Sequence, residues 1–347
     1  MTGPWNRQLG AARHAPRARR RRARAGSLLV VTLWLVTILS VLAVAVARYL
    51  AVEIRLTKYI QARAQAKALA RSGVYLAMQR LAQDMQDGEE AYDWLQDDWA
   101  VFPDGDPEDP TAWLVRLSSA KPDEESTPPA IVIRVTDEER KLPLNRVRDS
   151  LTDPWFMALS ALLQSPVRAQ RIVDYLDDNN EPFAPNGLEA DDASNPPYLA
   201  KNGPVVAPEE LLEIPDVPEA FRTLADFTSL ATLHGKLNIN TVSPEVLEAL
   251  GMGSSAAQAL AACRAHNVIF ESEATILTTA ESCVGATGLS DTERTLLVND
   301  FGVSSQTFTV ISEGRVQQPP VTARVEALID RSTDAGGQIR ILGWRES

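Results

Sequence analysis

Residues 19–50 read RRRRARAGSLLVVTLWLVTILSVLAVAVARYL. Four arginines, Arg19 to Arg22, lead through Ala-Arg-Ala-Gly into 21 residues without a charge, Ser27 to Ala47. As a helix rising ~1.5 Å per residue, that block spans about 30 Å, the thickness of one hydrocarbon core. Residues 1–26 hold eight arginines and no acid. This asymmetry predicts a cytoplasmic N-terminus with the bulk of the chain on the other side. A secretory signal competes, because AVAVA at 43–47 offers small residues for cleavage after Ala47. Such signals carry only about 7–15 apolar residues, however, and no helix breaker follows here. Between Ser27 and Phe102 there is no proline, and the only glycines are Gly73 and Gly88. The block therefore reads as a retained anchor.

The pattern continues past the membrane. Val74, Met78, Leu81 and Met85 recur at spacings of 4, 3 and 4, the stripe of an amphipathic helix. The simplest reading is one helix from about Ser27 to about Gln86. Its half at 27–48 lies in lipid, and its half at 49–88 lies outside, with its stripe against a globular head.

The whole chain has 347 residues and a net charge of −12, so the part after Gly26 carries −20 once the eight leader arginines are set aside. A head that acidic repels nucleic acid and attracts cations. The hydrophobic fraction of 45% suffices for a packed core. Cys263 and Cys283 are too few for a disulfide framework or a cysteine-rich zinc site. Either they pair in an oxidising compartment or they remain two buried thiols.

Within the head, TAWLVRLSS (111–119) and AIVIRVTDEER (130–140) alternate as strands do, around the acidic turn KPDEESTPP (121–129). Near the C-terminus QTFTVISEGRVQ, VTARVEALIDRS and GQIRILGWRES form three more runs, divided by Pro319–Pro320 and by TDAGG, as in an antiparallel meander. Between these sets, from 146 to about 304, the patterns are short helices that open on Ser, Asp or Pro. The expected class is α+β: a first part of the head at 89–145, one inserted all-α subdomain at 146–304, and completing strands at 305–347.

Two segments of the insertion could carry chemistry. IVDYLDDNNEPFAPNGLEADDASNPPY (172–198) gathers Asp174, Asp177, Asp178, Asn179, Asn180, Glu181, Glu189, Asp191 and Asp192 without His or Cys. An all-oxygen set on a flexible loop suits a hard cation, calcium ahead of magnesium, or else it is a solvated acidic loop. It is not an EF-hand, since Pro182 stands where the loop glycine belongs. The second segment, KLNINTVSPEVLEALGMGSSAAQALAACRAH (236–266), resembles a helix-hairpin-helix around Gly251-Met252-Gly253. In that motif glycine N–H groups at a helix N-terminus grip a phosphate. Here Leu250 replaces the usual proline, and SSAAQA brings no Lys or Arg. The segment reads as packing, and no nucleic acid is expected as a partner. The three histidines, His14, His234 and His266, lie in no recognisable catalytic arrangement, and no hydrolase, zincin or nucleotide-loop motif occurs. The expectation is a protein that is not an enzyme.

Taken together, KLPLNRV, the acidic segment continuing into PPYLAKNGPVVAPEELLEI, and LNINTVSPEVLEALG follow the order and spacing of the K-subunit minor pseudopilins of the type II (general) secretion pathway, which this chain resembles over nearly its whole length after the leader. The resemblance implies a pilin-like long helix packed on a small antiparallel sheet. It implies cleavage between Gly26 and Ser27 by prepilin peptidase, removal of the leader 1–26, and an N-methylated Ser27. Pilins commonly carry Glu at the fifth mature position, where this chain has Val31; the K family is known for lacking that acid, which fits a subunit at the tip of the filament. An unpaired carboxylate in lipid would be costly there. Further implications are calcium at Asp174, Asp177, Glu189 and Asp191 or Asp192, with Asn179 where an Asp is frequent. The implied partners are I- and J-type pseudopilins, and the implied location is the inner membrane with the head in the periplasm. The competing readings are a type IV pilus-like minor pilin or DNA-uptake protein using the hairpin segment, and a secreted hydrolase beginning after Ala47.

Overall fold

The computed structural model describes residues 23–86, 92–101, 105–106, 109–117, 128–194, 196–231, 236–331 and 339–347. Leader residues 1–22, most of the expected acidic turn at 121–129, and the break at TDAGG lie outside them.

Helix α1 runs Ala23–Gln86, so Gly26 and Ser27 both sit in helical backbone. The chain forms two compact units, 1–60 and 61–347. In the first, every side chain from Leu28 to Ile60 is exposed, among them Leu33, Trp34, Leu39 and Leu42. This is the one helix among the described residues long and apolar enough to cross a membrane.

The second unit begins with residues 61–86 of α1, followed by strands β1 (Gly105–Asp106), β2 (Asp109–Arg116) and β3 (Ala130–Asp137). After the helical region come β4 (Thr307–Gln317), β5 (Pro320–Asp330) and β6 (Arg340–Glu346). All six join one antiparallel sheet in the order β1-β2-β3-β4-β5-β6. Phe308 pairs with Asp137 and Arg315 with Ala130, so β3 and β4 are hydrogen-bonded neighbours although 138–306 lies between them. Burial alternates along β4 and β5, as the two-residue period of a half-covered sheet requires. The architecture is the expected α+β one, a long N-terminal helix on an antiparallel meander with additional helices.

The helix face against the sheet differs from the expected stripe. Val74 and Leu81 are fully buried, Met78 is partly buried, and Met85 lies outside the core. The rest of the contact is made by Ala62, Ala66, Leu69, Ala70 and Ala77, packed on Ile131, Ile133, Phe308, Val310 and Ala327. Small residues let the helix backbone lie close to the strands. A Cβ on Gly314 of β4 would fall 2.7 Å from the Ala70 N, with the Ala66 carbonyl nearer still. A Cβ on Gly73 would fall 2.6 Å from Ile131 Cγ2. The side of Gly73 that offers no apolar bulk in a sequence pattern is therefore the side that touches the sheet. Trp99, 1% exposed, closes one end edge-on to Phe308 at 5.0 Å between ring centres.

The region between β3 and β4 holds α2 (Pro154–Leu163), α3 (Pro166–Leu176), α4 (Phe221–Phe227), α5 (Pro244–Ala249), α6 (Ser254–Ala265), α7 (Ile276–Val284) and α8 (Asp291–Asp300). Asp153, Ser165 and Ser243 each cap a helix whose first residue is proline, accepting from the N–H of Phe156, Arg168 and Val246. Two apolar cores form here rather than one. The first runs from Leu142 to Leu224 and the second from Ala231 to Val303, with Trp155 and Leu250 touching both. Leu142 and Leu144, expected on the head side of a boundary at 146, are fully buried in the first of these cores. They reach it because Leu142–Pro143 pairs in parallel with Thr228–Ser229. The cysteine alternative resolves as a disulfide, Cys263 of α6 to Cys283 of α7.

Candidate metal site

Asp174 lies in the last turn of α3, and Asp177 is the residue on which that helix ends. Asp174 is completely buried. Its carboxylate accepts from Phe183 N at 2.5 Å and from Leu188 N, so the loop 177–188 folds back over it. Gly187 permits that return: a Cβ there would fall 2.6 Å from Phe183 N, with Asp174 Oδ2 nearer. Asp177 Oδ1 accepts from Asn179 N at 3.2 Å, and Asn179 Oδ1 accepts from Glu181 N at 2.7 Å. These are the local turns that Asp and Asn side chains favour. The chain then enters a small hairpin, in which Ala190–Asp191 pairs with Tyr198–Leu199, and Glu189 arrives opposite Asp174 and Asp177.

One carboxylate oxygen from each of Asp174, Asp177 and Glu189 lies within 4.8 Å of the others. Among the described residues, no Lys or Arg forms an ion pair with any of the three. Burial pushes the Glu189 carboxyl up to about 7, and the Asp174 and Asp177 charges add to the shift. Burial also raises Asp177, with Asp149 and Asp178 contributing, and it raises Asp174 despite the two N–H groups that oppose it. Asp177 Oδ2 and Glu189 Oε1 are buried without a hydrogen-bond partner. Unsatisfied anionic oxygens in an interior cost several kcal/mol unless a positive charge meets them. An all-oxygen set of this kind fits a hard divalent cation.

The other residues expected here are arranged differently. Asn179 uses its oxygen in the turn to Glu181, Asp191 Oδ1 accepts from Ala193 N at 2.9 Å, and Asp192 is exposed. Two neighbours had no signature in the sequence. The Tyr198 hydroxyl and Asn202 Oδ1 are also buried without a partner, while Asn202 Nδ2 donates to Asn180 Oδ1 at 3.0 Å. Tyr198 arrives through its pairing with Asp191 across the hairpin, a register that only the folded chain discloses.

The hairpin segment takes the shape its glycines suggested. Gly251 has φ +98°, and Gly253 is the N-cap of α6. The Gly253 N–H donates to Glu293 Oε1 at 2.9 Å, and Glu293 Oε2 takes both the N–H and the hydroxyl of Ser290 at 2.7 Å. Burial pushes the Glu293 carboxyl up, but the Ser290 and Gly253 donors together hold it below its ordinary value. The donor that would grip a phosphate is thus taken by the protein's own carboxylate. A second acid, Glu248, accepts from Ser254 Oγ at 2.8 Å.

No protein-family model matches the chain, and no curated protein matches it. Among solved structures its fold is similar to a chain in the crystal structure of the GspK–GspI–GspJ complex from the enterotoxigenic Escherichia coli Type 2 Secretion System. The TM-score is 0.63 at 17% sequence identity, over 84% of this chain and 99% of that one. At that identity the likeness is one of fold.

Proposed function

We propose that the chain is a K-type minor pseudopilin of a type II secretion system. It is a structural subunit that is cut between Gly26 and Ser27, stays in the inner membrane by its N-terminal helix, and stands with I- and J-type subunits at the tip of the periplasmic pseudopilus. The observation that carries this reading is the fold. A pilin-like helix on a meander, interrupted between β3 and β4 by a helical region, is shared with a chain of a GspK–GspI–GspJ complex over 84% of the length. The basic leader ahead of one apolar helix supports the orientation. The Cys263–Cys283 disulfide supports an oxidising compartment for the head. Val31, an uncharged residue at the fifth mature position, suits a subunit with no neighbour above it to neutralise.

Asp174, Asp177 and Glu189 are the residues that would hold calcium, whose charge would balance three converging carboxylates. Tying the end of α3 to the 190–199 hairpin in this way would stiffen the first core of the helical region, a structural role. The DNA-binding alternative is disfavoured by Glu293, which fills the hairpin's phosphate-facing donor. The test is N-terminal sequencing and mass analysis of the mature protein from membranes. A start at Ser27 is expected, and a start at Met1 or at Arg48 would refute the assignment. Retardation of DNA by the purified protein at low salt would favour the alternative.

A further inference from the structure

The two edges of the six-stranded sheet differ. β1 is two residues long, whereas β6 runs Arg340–Glu346 with β5 on one side and, among the described residues, no strand on the other. Ser347 N donates to the Arg324 carbonyl at 2.9 Å, and Arg324 N donates to the Ser347 carbonyl at 3.1 Å. In an antiparallel ladder such bonded pairs alternate with non-bonded ones. Gly343, Arg345 and Ser347 therefore turn their backbone groups toward β5. Trp344 and Glu346, opposite Ala327 and Val325, turn theirs away from it. Among the described residues, no backbone group meets the N–H or C=O of Trp344 or Glu346 on that outer side. A register shift at Leu328/Ile329 ends the regular pairing, so the open edge is 343–347.

Sheet edges are ordinarily guarded by charge, by proline or by shortness. β6 has no proline, and its three charged side chains are tied back into the protein. Arg340 pairs with Asp330 at 2.7 Å, and Arg345 bridges Glu326, at 2.8 Å, and Glu209 of the helical region. Glu346 accepts from Arg71 Nε and Nη2 of α1 at 2.7 and 3.0 Å, and from the Trp344 indole N–H at 3.0 Å. What the edge offers beyond its backbone is apolar. Ile341 and Trp344 are each 38% exposed, and Leu342 is 52% exposed. Tyr75, one turn beyond Arg71 on α1, is exposed as well. Open N–H and C=O groups at strand spacing specify an extended backbone as their occupant. Flanking charges already paired select a segment without charge, because a charged one would be desolvated with no counter-ion.

A second copy of this chain is the wrong occupant. Antiparallel pairing of two β6 edges sets a two-fold axis perpendicular to the sheet, and that axis reverses every direction lying in the sheet's plane. Residues 61–86 of α1 lie on the face of the sheet, so the two copies would carry them antiparallel. Subunits whose N-terminal helices enter one membrane from one side share one direction instead. We propose that the 343–347 edge receives an extended, uncharged segment of a neighbouring minor pseudopilin as an added strand, paired to the backbone of Trp344 and Glu346. The identity of that neighbour rests on the pseudopilin reading above, and the open edge rests on the register alone.

The experiment uses the full chain in detergent, alone and co-purified with the I- and J-type pseudopilins of the same secretion system. Hydrogen–deuterium exchange is read at single amides. Alone, the Trp344 and Glu346 amides should exchange freely while Arg345 is slowed by its bond to β5. In the complex both should slow by roughly tenfold or more. Trp344→Pro removes an outward N–H and leaves the β5 ladder whole, and Trp344→Ala removes the same side chain but keeps the N–H. W344P should therefore bind the two partners roughly tenfold more weakly than W344A. A complex that forms with both amides still open would overturn the edge proposal and leave the pseudopilin reading standing, and failure to form a complex would overturn both. Amides already slow in the isolated monomer, or slowed by dimerisation of this chain alone, would overturn the proposal too. Equal affinities of folded W344P and W344A would do the same, and the exchange measurement on the wild type decides the matter if W344P does not fold.

Discussion

Replacing Gly314 by alanine tests how closely the stem helix lies on the sheet. The added Cβ would sit 2.7 Å from the Ala70 N and 2.8 Å from Leu69 Cβ, with the Ala66 carbonyl nearer still, where ordinary contact begins at 3.4 Å. Two of the three obstacles are backbone atoms, so no rotamer change relieves them. The helix itself must retreat by about 0.7 Å or more to restore contact at Ala70 N alone. A gap of that size forfeits roughly a quarter to a half of each dispersion contact across it. The loss is shared by Ala62, Ala66, Leu69, Ala70 and Val74, all buried against the strands. Overpacking a core by one methyl costs about 1–3 kcal/mol, and a backbone obstacle puts G314A at the upper end. At that cost the melting temperature of the detergent-solubilised protein should fall by roughly 4–5 °C, the unfolding entropy of a unit this large being high. Gly343→Ala is the control, because its Cβ would meet only Leu328 Cβ at 3.5 Å, an ordinary distance. Gly73→Ala should be intermediate, its obstacles being the tips of Ser312 and Ile131. A G314A protein that melts within about 2 °C of the wild type would mean that the helix does not rest on β4 through its backbone.

Four further outcomes are expected. Calcium removal with chelator should lower the melting temperature of the wild type and leave D177N-E189Q unmoved; equal curves with and without calcium would count against Asp174, Asp177 and Glu189 as ligands. Reducing the disulfide, or replacing both Cys263 and Cys283 by alanine, should cost about 3 kcal/mol for a closed loop of this size, read by denaturant unfolding. Glu293→Gln should lose roughly 1.5–3 kcal/mol of charge-assisted bonding to Gly253 and Ser290 while the disulfide remains intact; no change in stability would mean that this contact is idle. Val31→Glu should impair pseudopilus assembly and secretion, and normal secretion by the variant would make the uncharged fifth position incidental to tip placement.

Local regularities carried most of what the sequence discloses. The charge-free block at 27–47 and the absence of proline through residue 102 determine a membrane-length helix that continues beyond it, because both are properties of consecutive residues. The strand runs and the Ser/Asp-Pro helix starts are legible for the same reason, and they appear where their patterns stand. The acidic stretch 172–198 announces an oxygen-rich site by composition, and the eight leader arginines announce an orientation.

Tertiary structure decided everything that depends on which distant atoms meet. Alanines at 62, 66, 70 and 77 form the helix–sheet seam, because closeness rather than apolar bulk is what that seam requires. Out of nine candidate residues in the acidic loop, Asp174, Asp177 and Glu189 converge, because a helix end and a hairpin 12 residues later return to one point. Glu293 closes the glycine hairpin from 40 residues away, and a spacing rule has no access to that contact. Asp137 and Glu139 read in the sequence as two acids at a strand's end, on a chain with acids to spare. Only the fold buries both of them and leaves Glu139 Oε1 without a donor.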